Sequence, residues 1–92
     1  MKVKVKTFAR FRELFGSDLA IDLPEGTGIT GLVSGICGND PEKQDALCGK
    51  EGNILGHVIV AVNGVRLDRD DFPTFSLKEG DEVALYPPVS GG

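Results

Sequence analysis

Glu82-Val83-Ala84-Leu85-Tyr86-Pro87-Pro88 is the stretch of this 92-residue sequence that decides how the rest is arranged. Val83 and Leu85 recur at period two, the spacing of a strand with one face buried. Pro87 and Pro88 then end the strand, because neither has an N–H to give a ladder. Such a strand, apolar in alternation up to the point where it stops, is expected at the centre of a sheet, beside the first strand and parallel to it.

Working outward, Lys2-Val3-Lys4-Val5-Lys6-Thr7-Phe8 has the same period, with Val3 and Val5 toward a core and the lysines toward solvent. Ala9 to Phe15 switches to helical spacing, and Gly16 is a natural stop. Leu19, Ile21 and Leu23 alternate with Asp18, Ala20 and Asp22 in a second strand, which Pro24-Glu25-Gly26 ends. Thr27 is expected to cap the main helix, whose stripe is Ile29, Leu32, Val33, Ile36 and Cys37. Gly28, Gly31 and Gly35 fall on its other faces, and each interior glycine costs about 1 kcal/mol relative to Ala, so packing must hold this helix. Asp40-Pro41 reads as a cap and first residue of a short helix running toward Cys48 and Gly49.

Gly49 to Gly56 is turn-rich, and His57 to Val62 is strongly β-forming. Asn63-Gly64 predicts a tight hairpin into Val65-Arg66-Leu67, followed by an irregular connection over Asp68 to Thr74 and a turn at Lys78-Glu79-Gly80-Asp81. The expected layout is α+β, a mixed sheet packed on one main helix, as a single domain over residues 1–92 with a flexible tail over 87–92.

Composition sets the setting. A net charge of -4 leaves nothing to neutralise a row of phosphates, so no nucleic-acid partner is expected. The longest apolar run, Val58 to Val62, is far too short to span a bilayer, and Met1 is followed by alternating Lys and Val in place of a signal peptide. Neither a membrane nor secretion is expected, and the reducing cytoplasm keeps Cys37 and Cys48 as free thiols. Two cysteines without histidine companions make no zinc site, and the lone His57 has no partner at ligand spacing; no metal site is expected.

The tail carries the chemistry. Pro87-Pro88 favours an extended path away from the body, Val89 and Ser90 continue it, and Gly91-Gly92 adds backbone without Cβ that can thread a narrow channel. The reactive group expected there is the Gly92 α-carboxylate, ionised above about pH 3.5 and a poor electrophile until activated. Activation as an acyl-adenylate needs ATP and a partner enzyme, since this chain lacks a glycine loop with Lys-Ser/Thr to cradle phosphates. No cofactor is expected to be bound, and no side chain here is expected to act as general acid or base.

These residues carry a resemblance. The run from Leu77 to Gly92, with its Pro-Pro-Val-Ser-Gly-Gly ending, resembles the closing signature of the small sulfur-carrying subunit of molybdopterin synthase. Phe8-Ala9-Arg10-Phe11-Arg12-Glu13-Leu14-Phe15-Gly16 resembles that family's first strand–helix junction, and Ala61-Val62-Asn63-Gly64 its later hairpin, about a third of the chain in all. The sequence is less similar to the thiamine-pathway carriers, which lack the double proline. Gly28 to Gly56 departs from the bacterial subunits, and Gly52-Asn53-Ile54-Leu55-Gly56-His57 looks more like the archaeal branch, which includes ubiquitin-like small modifier proteins.

The resemblance implies a β-grasp fold and a Gly92 carboxylate adenylated by an E1-like enzyme. The adenylate becomes a thiocarboxylate whose sulfur a large synthase subunit uses to build the dithiolene of molybdopterin. In the archaeal modifiers the same terminus is joined instead to a lysine of a target protein. The resemblance also puts Phe8 and Tyr86 in an apolar patch that meets the activating enzyme and the large subunit; the alternative is that both rings pack the core. Arg66 falls where that patch would have an apolar residue. Cys37 reads as a small core residue and Cys48 as an exposable one near a helix end, with a sulfur relay through either as the competing reading.

Overall fold

Lysine and valine alternate through β1 (Lys2–Thr7), and burial alternates with them, Val3 and Val5 inward and the three lysines exposed. Thr7 keeps the inward parity and is satisfied by donating its hydroxyl to the Gly16 carbonyl. A computed structural model describes residues 1–48, 54 and 58–87, and the following account is of those residues.

After β1 the chain turns into α1 (Arg10–Phe15), then β2 (Asp18–Asp22), α2 (Ile29–Cys37) and α3 (Pro41–Leu47). β3 (Ile59–Val62), β4 (Val65–Leu67), a 3-10 turn at Arg69–Asp71 and β5 (Glu82–Tyr86) complete the order. The strands form one sheet in the order β2-β1-β5-β3-β4. β5 is therefore central, parallel to β1 (Thr7 beside Leu85) and antiparallel to β3 (Val60 beside Leu85). That is the position expected from its sequence.

One face of the sheet meets the helices. Val3, Val5, Val83 and Leu85 of the sheet and Ile29 and Leu32 of α2 are fully buried in one core cluster. Each such side chain contributes about 1.5–3 kcal/mol by leaving water, which offsets the cost of the glycines in α2.

Three local expectations change. Ala9 lies outside α1 at φ 52, a left-handed conformation that redirects the chain immediately after β1. Thr27 does not cap α2: its hydroxyl donates back to the Pro24 carbonyl at 2.6 Å, and Gly28 occupies the cap position. Gly28 is there for space, because a Cβ on it would lie 2.8 Å from the Phe75 carbonyl oxygen. The connection after β4 is not wholly irregular, since it holds the 3-10 turn. Asp40 does cap α3, accepting from the Glu42 amide at 2.9 Å.

Candidate functional site

Among the described residues, no helix covers the sheet's other face. Strand parity puts Lys2, Lys4 and Lys6 of β1, Asp18, Ala20 and Asp22 of β2, and Glu82, Ala84 and Tyr86 of β5 on this outer side. Ile59 and Ala61 of β3 and Arg66 of β4 join them through the pairs Ile59–Tyr86, Ala61–Ala84 and Ala61–Arg66.

The face is divided. Across β1 and β2 it is charged, with Lys2 opposite Asp22, Lys6 opposite Asp18 and an exposed Lys6–Glu82 pair at 3.7 Å. An exposed pair of that kind contributes about 0–1 kcal/mol. Toward the end of β5 it is apolar. The Phe8 and Tyr86 rings stack there with centroids 4.5 Å apart and planes 5° from parallel. They are 38% and 37% exposed and lie outside the core cluster, so the rings form a surface pair and not core packing. Phe8 reaches this side because it keeps the parity of the lysines.

Pro87 directly follows Tyr86, so the chain leaves the sheet beside the stacked pair. Pro88, Val89, Ser90, Gly91 and Gly92 lie outside the described residues, as does His57. β5 is held in register at its other end. The Asp81 carboxylate accepts from Asn63 Nδ2 at 3.0 Å and from the Lys78 amide at 2.8 Å, while Asn63 Oδ1 accepts from the Glu82 amide at 3.0 Å.

Sequence reasoning found Phe8 and Tyr86 but not Ile59, Ala61 and Ala84, which complete the apolar end. Counting parity back from the Asn63-Gly64 turn assigns Ile59 and Ala61, and the place of Ala84 between the inward Val83 and Leu85 assigns it. It also read Asn63 as a turn residue only, whereas its side chain ties the hairpin to β5.

Both cysteines are free and buried, so Cys48, exposable by its place near a helix end, is in fact covered. Burial pushes the Cys37 thiol up to about 11; Cys48 adds to this, the Lys43 ammonium opposes it and Asp40 reinforces it. Burial also raises Cys48. Thiols held protonated are poor nucleophiles, which disfavours a sulfur relay through either. Among the described residues no group of His, Cys, Asp or Glu is placed to hold a metal ion. No helix among them is long and apolar enough to cross a membrane.

A mixed sheet with a central last strand, one main helix on its inner face and a chain exit beside an exposed aromatic pair defines a ubiquitin-like β-grasp domain. The sequence matches the ThiS family over residues 5–92, and the chain belongs to that family. Small archaeal modifier protein 1 of Haloferax volcanii is 30% identical over 88 residues, covering 95% of this chain and 97% of that protein. A crystal structure of SAMP1 from Haloferax volcanii is similar with a TM-score of 0.84 and 28% identity, covering 100% of both chains. The molybdopterin synthase sulfur carrier subunit of Escherichia coli K12 is 35% identical over 95 residues, covering 98% of this chain and 99% of that protein. A protein–protein complex of subunits 1 and 2 of molybdopterin-converting factor from Helicobacter pylori contains a chain with a TM-score of 0.59 and 26% identity, covering 100% of both chains.

Proposed function

We propose that this protein is a sulfur carrier whose Gly92 carboxylate is adenylated by an E1-like enzyme and converted to a thiocarboxylate for molybdopterin synthesis. The observation that carries the reading is the delivery of the chain from a central, doubly paired strand to an exit beside the exposed Phe8–Tyr86 stack. A partner docked on that stack is positioned to receive whatever follows Pro87, and holding reactants in place is the main contribution a carrier makes to its own reaction.

The chemistry belongs to the partners. The carboxylate attacks the α-phosphate of ATP and releases pyrophosphate, and a sulfide-equivalent sulfur then displaces AMP. The large synthase subunit docks on the same face and takes the sulfur. ATP is consumed by the activating enzyme, and the reducing cytoplasm suits both a thiocarboxylate and two free thiols. The similarity to the Escherichia coli sulfur carrier subunit supports this route.

A second reading is favoured by the similarity to the archaeal modifier: the activated terminus is transferred to a lysine amine of a target protein, releasing AMP and a proton. Deleting Gly91 and Gly92 tests what the two share. The truncated protein is expected to melt like the wild type and to support no ATP–pyrophosphate exchange with the activating enzyme; retained exchange sinks both. Intact mass spectrometry of protein from its host separates them, by the oxygen-to-sulfur mass increase for the carrier or by tail remnants on lysines for the modifier.

A further inference from the structure

Arg66 is a cation set into the apolar end of the outer face. It is exposed, and it makes no hydrogen bond or ion pair among the described residues. It ends a row that crosses the sheet through Asp18, Lys6, Ala84, Ala61 and Arg66, one step from the row of Phe8, Tyr86 and Ile59. Lys6, on the same row, is matched by Glu82 at 3.7 Å, so Arg66 is the one cation of this row with no carboxylate of its own.

The setting limits what can cover it. Ala61, buried, and Ala84, half-buried, are the residues of this row between Lys6 and Arg66, so the row has no side chain there to match the guanidinium. Burying an unmatched charge against an apolar surface is strongly unfavourable, so a purely apolar partner is penalised here. A guanidinium presents a planar fork of donors that a carboxylate fits with two parallel hydrogen bonds, a fit that a lysine ammonium lacks. The wider field agrees in sign. This face carries Lys2, Lys4, Lys6 and Arg66 against Asp18, Asp22 and Glu82, on a chain whose net charge is -4. An acidic partner is therefore turned away from the other surfaces and toward this one.

We infer that the adenylating enzyme presents an aspartate or glutamate carboxylate to Arg66, beside an apolar patch that covers Ala61, Ala84 and the Phe8–Tyr86 stack. This rests on the reading of the tail given above, and makes Arg66 a residue that selects the partner and does not touch the reacting atoms.

The test is ATP–pyrophosphate exchange catalysed by the adenylating enzyme of the same organism, with the full-length wild type, R66L and R66E as substrates at low and high salt. Thermal unfolding of each protein establishes that the exposed substitutions leave the fold intact. Losing one charge-assisted contact predicts a KM for R66L raised about tenfold with kcat unchanged, and a larger rise for R66E. The wild-type KM is expected to rise with salt and the R66L KM to rise much less. Either an R66L KM equal to the wild type's or an equal salt dependence in the two overturns the inference while the tail reading stands. No exchange with wild type overturns both.

Discussion

The Asn63 side chain donates to Asp81 Oδ1 at 3.0 Å, joining the β3–β4 turn to the residue before β5. Asn63 and Gly64 sit at φ 52 and φ 83, the left-handed pair that a two-residue hairpin loop requires. Asn tolerates that conformation and also brings an amide that glycine lacks. Asn63→Gly keeps the turn but removes both side-chain bonds, a loss of about 1–2 kcal/mol at this exposed site. Asn63→Ala adds the strain of a Cβ at positive φ, about 1 kcal/mol more. Urea unfolding checks the order, wild type above Gly above Ala; a Gly variant as stable as wild type refutes the clamp.

Ala9 supplies an unusual case in which glycine should stabilise. Its φ of 52 and ψ of -125 suit no residue with a Cβ, and strain of this kind costs about 1–3 kcal/mol. Ala9 lies before α1, so helix propensity does not oppose the change. Ala9→Gly is expected to raise stability by about 1 kcal/mol after the added unfolded-state entropy is set against it. A drop in the thermal midpoint would contradict the strained turn.

Two glycines near α2 should respond in opposite ways to alanine. At Gly28 the new Cβ meets the Phe75 carbonyl oxygen at 2.8 Å, and backbone must move. At Gly35 it meets the tips of Ile21 and Leu23 at 2.8 and 3.4 Å, which a rotamer change relieves. Gly28→Ala is expected to lose about 1–3 kcal/mol as overpacking does, and Gly35→Ala to lie near neutral because about 1 kcal/mol of helix propensity offsets the shift. Equal losses in denaturant titrations would show that the distinction is wrong.

The Cys37 thiol gives a pH signature. Its pKa rises from 9.0 to about 11 on folding, mainly through burial, so the unfolded chain ionises first. Between those values the unfolded state binds fewer protons, and stability falls as pH rises through the window; below it this group contributes no pH dependence. Alkylation near pH 8 reads the same shift, since the native thiolate is about a hundredfold rarer than in an unperturbed thiol. A native alkylation rate matching that in denaturant would remove burial as the cause.

The central strands β1 and β5 were legible because alternate residues of each are buried. Val83 and Leu85 give the parity of β5, Val3 and Val5 that of β1, and a central parallel pair follows. The Asn63-Gly64 turn was equally plain, since few dipeptides accept two left-handed residues. Ala9 and Thr27 were misread for a shared reason. Ala9 has the propensity of a helix residue and Thr27 that of a cap, but the left-handed turn out of β1 leaves the first outside α1, and the close approach of Gly28 to the Phe75 carbonyl puts Gly28 in the cap position in place of the second; both are tertiary effects. The candidate face was half visible: Phe8 and Tyr86 stood out as aromatics, whereas Ala61 and Ala84 matter by being small, which no local pattern marks.

The parallel pairing of β1 with β5 has a mechanical consequence. Tension applied between the start of β1 and the end of β5 pulls the two strands past each other lengthwise, so their hydrogen bonds share the load and must fail together. An antiparallel pair pulled from one end would open bond by bond. A domain hauled by the segment after Pro87, while its first strand is held, therefore resists extension along its strongest direction.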